Sequence, residues 1–325
     1  MAYTIKDVSR LAGVSTATVS RTFSNPDSVS ARARRSVMEA AQILNYQPNA
    51  IARSMARQQT EKIAFLICKK RSSILDEFYA GICNGIMKAT NRSDYQLLIS
   101  TEEDWRLQKR NQVDGMILGG DATISLVSQC RNQGISIVLV NNEIQGFSLP
   151  CVISDEEAGV RLAVDHLVSR GHQKIGMITG RFSPYICERR YQGFQKAVKQ
   201  HGLVLPAGYI RTTDPDIESA AETAVAMLSQ KDPPTAIFGA NDEIATGVMK
   251  AAIRLGLKVP EDLAVVGYDD SRVCRALEPE LTSVHVFRNK MGKTAAGLLL
   301  DLLKGEDSEA PRIVIEPELI VRRST

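Results

Sequence analysis

Over roughly the first 57 positions, apolar residues recur every third or fourth place; beyond Thr60 they gather into short runs instead. Ile5, Val8, Leu11 and Ala12 share one face of a helix, because residues three and four apart lie on the same side. Thr4 precedes them with Asp7 three places on, a capping-box variant in which two side chains take up free amides at a helix start. Gly13-Val14 ends that helix, and Ser15 is placed to cap a second one with Val19 and Phe23 inward. Asn25-Pro26-Asp27-Ser28 is turn chemistry, and Ser30 opens a third helix with Val37, Ala41 and Leu44 on one side. Two helices joined by a short glycine turn and braced by a third have helix-turn-helix spacing, although a plain three-helix bundle shares the pattern.

After Thr60 the apolar runs lie at 63–67, 95–99, 115–118, 135–140, 175–178, 236–238 and 263–268, with helical patterns between them, for instance at 156–170 and 191–201. Strand–helix alternation predicts parallel sheets covered on both faces, and this many strands suggests two such sheets. Ligands of such folds sit at the carboxyl ends of the strands.

Composition narrows the class. A chain of 325 residues, 44% hydrophobic and 24% charged, suits two or three globular units. No apolar run reaches the ~18 residues of a membrane span. The polar start, Met1 to Asp7, shows no secretion signal, so the cytoplasm is the expected compartment and no membrane partner is expected. Six scattered cysteines without a Cys-x-x-Cys pair read as reduced, mostly buried thiols. The net charge of +3 hides an asymmetry, since residues 1–57 hold eight Lys/Arg against three acids and the remainder 32 against 34. A basic head on a slightly acidic body points to nucleic-acid phosphates as partner of the head.

Chemistry is missing where an enzyme would need it. The chain has no Gly-x-Gly-x-x-Gly, no Gly-x-x-x-x-Gly-Lys-Ser/Thr and no Gly-x-Ser-x-Gly, and its four histidines (166, 172, 201, 285) lack metal-ligand spacing. His172, in a turn before a strand, reads as structural. The expectation is no catalytic set, no metal site and no cofactor. A transport-associated sugar-binding protein would need a signal peptide and no basic head, the reverse of what stands here.

Three blocks of the head carry a resemblance: Thr4-Ile5-Lys6-Asp7-Val8, the run from Leu11 to Arg21, and Tyr46-Gln47-Pro48-Asn49-Ala50-Ile51-Ala52-Arg53-Ser54-Met55. They resemble the lactose/galactose repressor (LacI/GalR) family, the head being most similar to the galactose and cytidine repressor branches. Further blocks continue it to the last residues: Gly171 to Ile175, Arg190 to Phe194, Asn241 to Gly247, Val259 to Leu263, Gly267 to Asp270, Leu281 to Val284 and Glu318 to Arg322. The resemblance implies an all-α helix-turn-helix head on an α/β body of two doubly wound parallel-sheet lobes of the periplasmic-binding-protein type. It implies a head at 1–47, a hinge helix and linker at 48–59, and an effector-binding and dimerisation body at 60–325. The first lobe would take about 60–152 and 284–310, the second about 153–283 and 311–325, with crossings near 152, 283 and 311.

By the same resemblance Thr16, Ala17 and Arg21 read bases in the major groove, with Ser15, Thr18 and Ser20 better placed for phosphates. Asn49 caps a hinge helix in which Ala52 and Arg53 flank Met55. Met55 stands where the family carries a leucine that wedges into a central base step of the minor groove. The implied effector cleft is lined by Phe78, Tyr79, Asn141, Arg190, Asn241 and Asp269, with a helix N-cap as the alternative role of Asn241. The implied partners are a double-stranded, pseudo-palindromic operator, a second copy of the chain, and a small effector such as a sugar or sugar derivative. A nucleoside effector and an activating role remain alternatives.

Three departures bear on the effector. The segment 102–112 is too short for a full crossover helix; Asp214-Pro215 stands where relatives carry an aromatic platform; and Asn141 stands where an aspartate is common. Phe182 and Tyr185 are the aromatics placed to substitute for that platform.

Overall fold

A computed structural model describes residues 3–24, 26–46, 60–68, 77–91, 93–107, 113–144, 146–181, 183–305 and 311–325. The chain divides into two compact units, Met1–Lys62 and Ile63–Thr325.

The first unit holds α1 (Ile5–Ala12), α2 (Thr16–Ser24), a short 3-10 turn (Pro26–Ser28) and α3 (Ala31–Ile43). The capping box forms as the spacing predicts, with both the Thr4 amide (2.9 Å) and hydroxyl (2.7 Å) donating to Asp7. Gly13 closes α1 in the left-handed conformation, φ +65°, which a residue without a Cβ adopts at no steric cost. Val8, Val19, Val37, Ala40 and Ala41 form the small core, flanked by Ile5, Phe23 and Leu44. Its residues come from all three helices, so none of them is stable alone.

The second unit contains β1 (Lys62–Cys68), α4 (Glu77–Thr90), β2 (Gln96–Thr101), α5 (Glu102–Leu107), β3 (Gly115–Gly120), α6 (Ile124–Asn132), β4 (Ser136–Val140) and β5 (Cys151–Ser154). It continues with α7 (Glu156–Ser169), β6 (Ile175–Gly180), α8 (Pro184–Gln200), β7 (Ile210–Thr213), α9 (Ile217–Leu228), β8 (Ala236–Gly239), α10 (Asp242–Arg254) and β9 (Ala264–Asp269). Last come α11 (Val273–Ala276), β10 (Thr282–His285), α12 (Arg288–Leu303), β11 (Arg312–Ile315) and β12 (Glu318–Ile320). Two six-stranded sheets result, ordered β11-β5-β4-β3-β1-β2 and β12-β10-β9-β8-β6-β7. The central strands are buried along their length because helices cover both faces, which is why they read as continuous apolar runs. β12 runs antiparallel to its neighbour, β10.

The chain passes between the sheets three times, at Asp155, at 286–287 and at 316–317. Each crossing falls a few residues beyond the expected 152, 283 and 311. The reason is strand pairing. Arg312–Ile315 runs parallel to Cys151–Ser154 in the first sheet, although 311–325 was expected in the second lobe, and Thr282–His285 pairs with β9 in the second sheet. The described part of the trimmed segment after β2, Glu102–Leu107, is helical and forms α5.

Candidate functional sites: a nucleic-acid face on the head and a cleft in the body

Ser15 starts α2 by accepting the Thr18 amide at 3.1 Å, and the two hydroxyls lie 2.9 Å apart. That pairing ties Ser15 and Thr18 to the helix start. Thr16, Ala17, Ser20 and Arg21 are exposed, while Val19 between them is fully buried and fixes the rotation of the helix. The result is one solvent-facing row carrying a hydroxyl with its methyl, a methyl alone, a second hydroxyl and a guanidinium. Such a row can meet base edges and phosphates. Asn49, Ala52, Arg53 and Met55 lie outside the described residues, as does Phe182.

In the body, Asp269, Asn141 and Asn241 stand at or just beyond carboxyl ends of strands, and Arg190 reaches Asp269 and the Ala240 carbonyl from the second turn of α8. Arg190 is 2% exposed although charged, so its partners decide what it does. Its Nε donates to Glu156 Oε2 at 2.6 Å, Nη1 to the Ala240 carbonyl, and Nη2 to Asp269 Oδ1 at 3.1 Å. Its guanidinium lies 3.6 Å above the ring of Tyr268. Burial opposes its charge, but Glu156 and Asp269 outweigh that and hold its pKa above the usual arginine value.

Asp269 ends β9 with φ +102°, a conformation unfavourable for any side-chain-bearing residue. Burial pushes its carboxyl up to about 7 against the pull of Arg190, with Asp242 and Glu156 adding to the rise. Its neighbour Asp270 goes the other way. Hydrogen bonds from His285 (2.9 Å) and Arg322 (2.6 Å) overcome burial and hold it at about 2.

Asn141 follows β4 in the left-handed region, φ +57°, and its Oδ1 is buried without a hydrogen-bond partner among the described residues. An unpaired buried acceptor of this kind is costly unless something donates to it. Asn241 is the N-cap of α10, accepting the Ile244 amide at 2.8 Å, so its acceptor oxygen already has a structural use. Phe78 is half-buried and meets Tyr79 edge-on at 5.4 Å. Tyr79 is packed into the core beneath Gly119 and Gly120 and shows little surface.

Several further residues complete the cleft, and of these sequence reasoning singled out Tyr185 alone. Glu156 follows the crossing at Asp155 and reads in sequence only as an acid at a helix start. Across the two lobes, Ser183 donates to Asp121 at 2.6 Å and Tyr185 to Glu143 at 3.2 Å. Glu143 also takes Arg312 at 2.9 Å, and the Arg272 amide donates to Glu77 at 3.1 Å. The position expected to lack an aromatic is taken by an exposed ion pair, Arg181 with Asp214 at 3.0 Å. Among the described residues no three metal-binding side chains converge.

Head and body together define a class: a helix-turn-helix regulator joined to a two-lobed ligand-binding unit. Residues 4–49 match the family described as bacterial regulatory proteins, lacI family, and residues 164–325 match the periplasmic binding protein-like domain. The HTH-type transcriptional repressor PurR of Aliivibrio salmonicida is 32% identical over 99% of this chain and 98% of its own length. The HTH-type transcriptional repressor CytR of Escherichia coli K12 is 33% identical over 100% of this chain and 96% of its own. Among solved structures, the lac repressor dimer bound to operator and the anti-inducer ONPF superposes with a TM-score of 0.82 at 26% identity, covering 100% of this chain and 99% of that one. The transcriptional regulator CelR–cellobiose complex gives 0.75 at 30% identity, covering 99% and 100%. The chain belongs to the LacI family of bacterial regulatory proteins, a family of transcriptional repressors and not of enzymes.

Proposed function

We propose that this chain is a cytoplasmic repressor that binds a pseudo-palindromic operator as a homodimer and releases or tightens it when a small hydroxyl-bearing effector enters the cleft. The observation that carries the reading is the buried pairing of Arg190 with Asp269 at the end of β9, together with the unpaired acceptor of Asn141 just beyond β4. Buried polar groups of this kind reject molecules that leave them unsatisfied, which is how a cleft selects hydroxyl-rich ligands. Arg21, Thr16 and Ala17 read bases, Ser15, Thr18 and Ser20 meet phosphates, and Asn49, Ala52, Arg53 and Met55 serve the minor groove. Phe78, Tyr79, Asn141, Arg190, Asn241 and Asp269 serve the effector, Arg190 by holding Asp269 and Asn241 through its helix start.

Ligand control requires that the effector favour one arrangement of the lobes over another, and DNA must then change effector affinity by the same factor. A thermal-shift panel of sugars, glycosides, phosphosugars and nucleosides, followed by operator titration with each hit, tests this. A stabilising ligand that alters operator affinity is the expected result. A tightly bound ligand that leaves operator affinity unchanged contradicts the reading.

A further inference from the structure

Glu156 is the first residue of α7, directly after the crossing at Asp155, and its carboxylate is 2% exposed. It shares Arg190 with Asp269, so one guanidinium serves two carboxylates in a region from which water is largely excluded. A single cation does not compensate two anions there, and the acid in the weaker contact keeps its proton more readily. Glu156 makes the shorter contact, 2.6 Å, and Asp269 the longer one, 3.1 Å. The Asp269 side chain retains 20% exposure, so of the two acids it is the one open to an effector. The stack of Arg190 on Tyr268 fixes the plane of the guanidinium, so its two carboxylate partners compete along set directions.

We propose that Glu156 is a positioning residue of the effector cleft: by holding Arg190 it sets the orientation and the proton affinity of Asp269, which therefore meets the effector either as an acceptor or as a donor. This rests on the reading that Asp269 faces the effector. The groups around Asp269 agree with the assignment. Glu156 on α7 and Asp242 on α10 repel its negative charge, while Arg190 on α8 and Arg288 on α12 attract it. Tyr268 lies beneath Arg190, and Asp270, just after that strand, is already compensated by His285 and Arg322. Burial and the two neighbouring acids bring the Asp269 carboxyl to about 7. A carboxyl that alternates in this way suits a neutral hydroxyl, which can give or take a hydrogen bond, and disfavours an anionic group placed against it.

The test is a carbon-13 NMR titration of the full chain labelled at the aspartate carboxyls, with the Asp269 signal assigned through D269N. The wild-type midpoint is expected near 7. E156Q leaves Arg190 to Asp269 alone and should lower that midpoint by about one pH unit or more, roughly tenfold weaker proton binding. E156D, which folds with less disturbance and lengthens the contact to Arg190, should lower it by a smaller step. A wild-type midpoint in the ordinary carboxylate range, or a midpoint that neither variant moves, overturns the proposal. No effector is needed for this measurement, so the two readings fail separately: a D269N chain that still answers its effector normally sinks the effector reading alone.

Discussion

Arg21 on α2 and Arg35 on α3 are both exposed arginines of the head, but their expected roles differ, and mutation separates them. If Arg21 is the base reader proposed above, replacing it by Ala costs about 1–3 kcal/mol of discrimination at one guanine, while affinity for unrelated sequences changes little. Arg35→Ala, if phosphate-facing, weakens all sequences alike. Equal losses on random DNA from both substitutions, read by fluorescence anisotropy at one salt concentration, would remove Arg21 from the base-reading set. In the body, Asp269 supplies a stability prediction with a definite sign. Its folded value of about 7 lies above the ordinary 3.8, so the folded chain binds this proton more tightly than the unfolded one. The contribution to stability is therefore present at low pH and is lost as pH rises through about 7. Thermal melts between pH 5 and 8 should fall more steeply for wild type than for D269N, the two converging at the acid end. Parallel curves would place the carboxyl in the ordinary range.

At the scale of elements, α4 and α12 cross with glycine at the contact. A Cβ at Gly85 would overlap the Asn289 carbonyl, and one at Gly292 would overlap the Ile82 carbonyl, so the two backbones touch where no side chain fits. G85A should destabilise the body by about 1–3 kcal/mol, the usual cost of overpacking, seen as a shifted denaturant midpoint with unchanged slope. An unshifted midpoint would show that the helices separate at no cost. This contact was not legible in the sequence, where Gly85 and Gly292 stand 207 positions apart inside helical patterns. The head was legible almost whole, because Thr4, Asp7, Gly13 and Ser15 act on residues within five places of themselves. The long central strands were legible as apolar runs. The strands at 151–154, 210–213, 312–315 and 318–320 are three or four residues long, too short to show a period, and their pairing moved each lobe crossing a few residues downstream.

For the whole molecule, the body's lobes are joined across the cleft by side chains as well as by the three crossings. Ser183 with Asp121 and Tyr185 with Glu143 link one lobe to the other. Removing both contacts with S183A and Y185F should lower stability by about 1–3 kcal/mol together, at about 0.5–1.5 kcal/mol for each hydrogen bond. It should also increase the radius of gyration measured by small-angle scattering, as the lobes part. An unchanged radius would mean that these two contacts do not set the lobe angle. These contacts join residues 62 and 42 positions apart, and nothing local in the chain announces them. Arg190 and Asp269 were reached through family resemblance, whereas Glu156 stayed hidden because an acid at a helix start already has an ordinary explanation.

The central claim is that the head reads a DNA sequence, and the most direct measurement is selection of bound sites from random duplex DNA by the full chain, followed by titration of the winner. The account predicts a pseudo-palindromic site bound about a thousandfold or more tighter than scrambled DNA, with that preference reduced by Arg21→Ala at one symmetric base pair. Enrichment of no common sequence, or equal affinity for selected and scrambled duplexes at the same salt concentration, would contradict it.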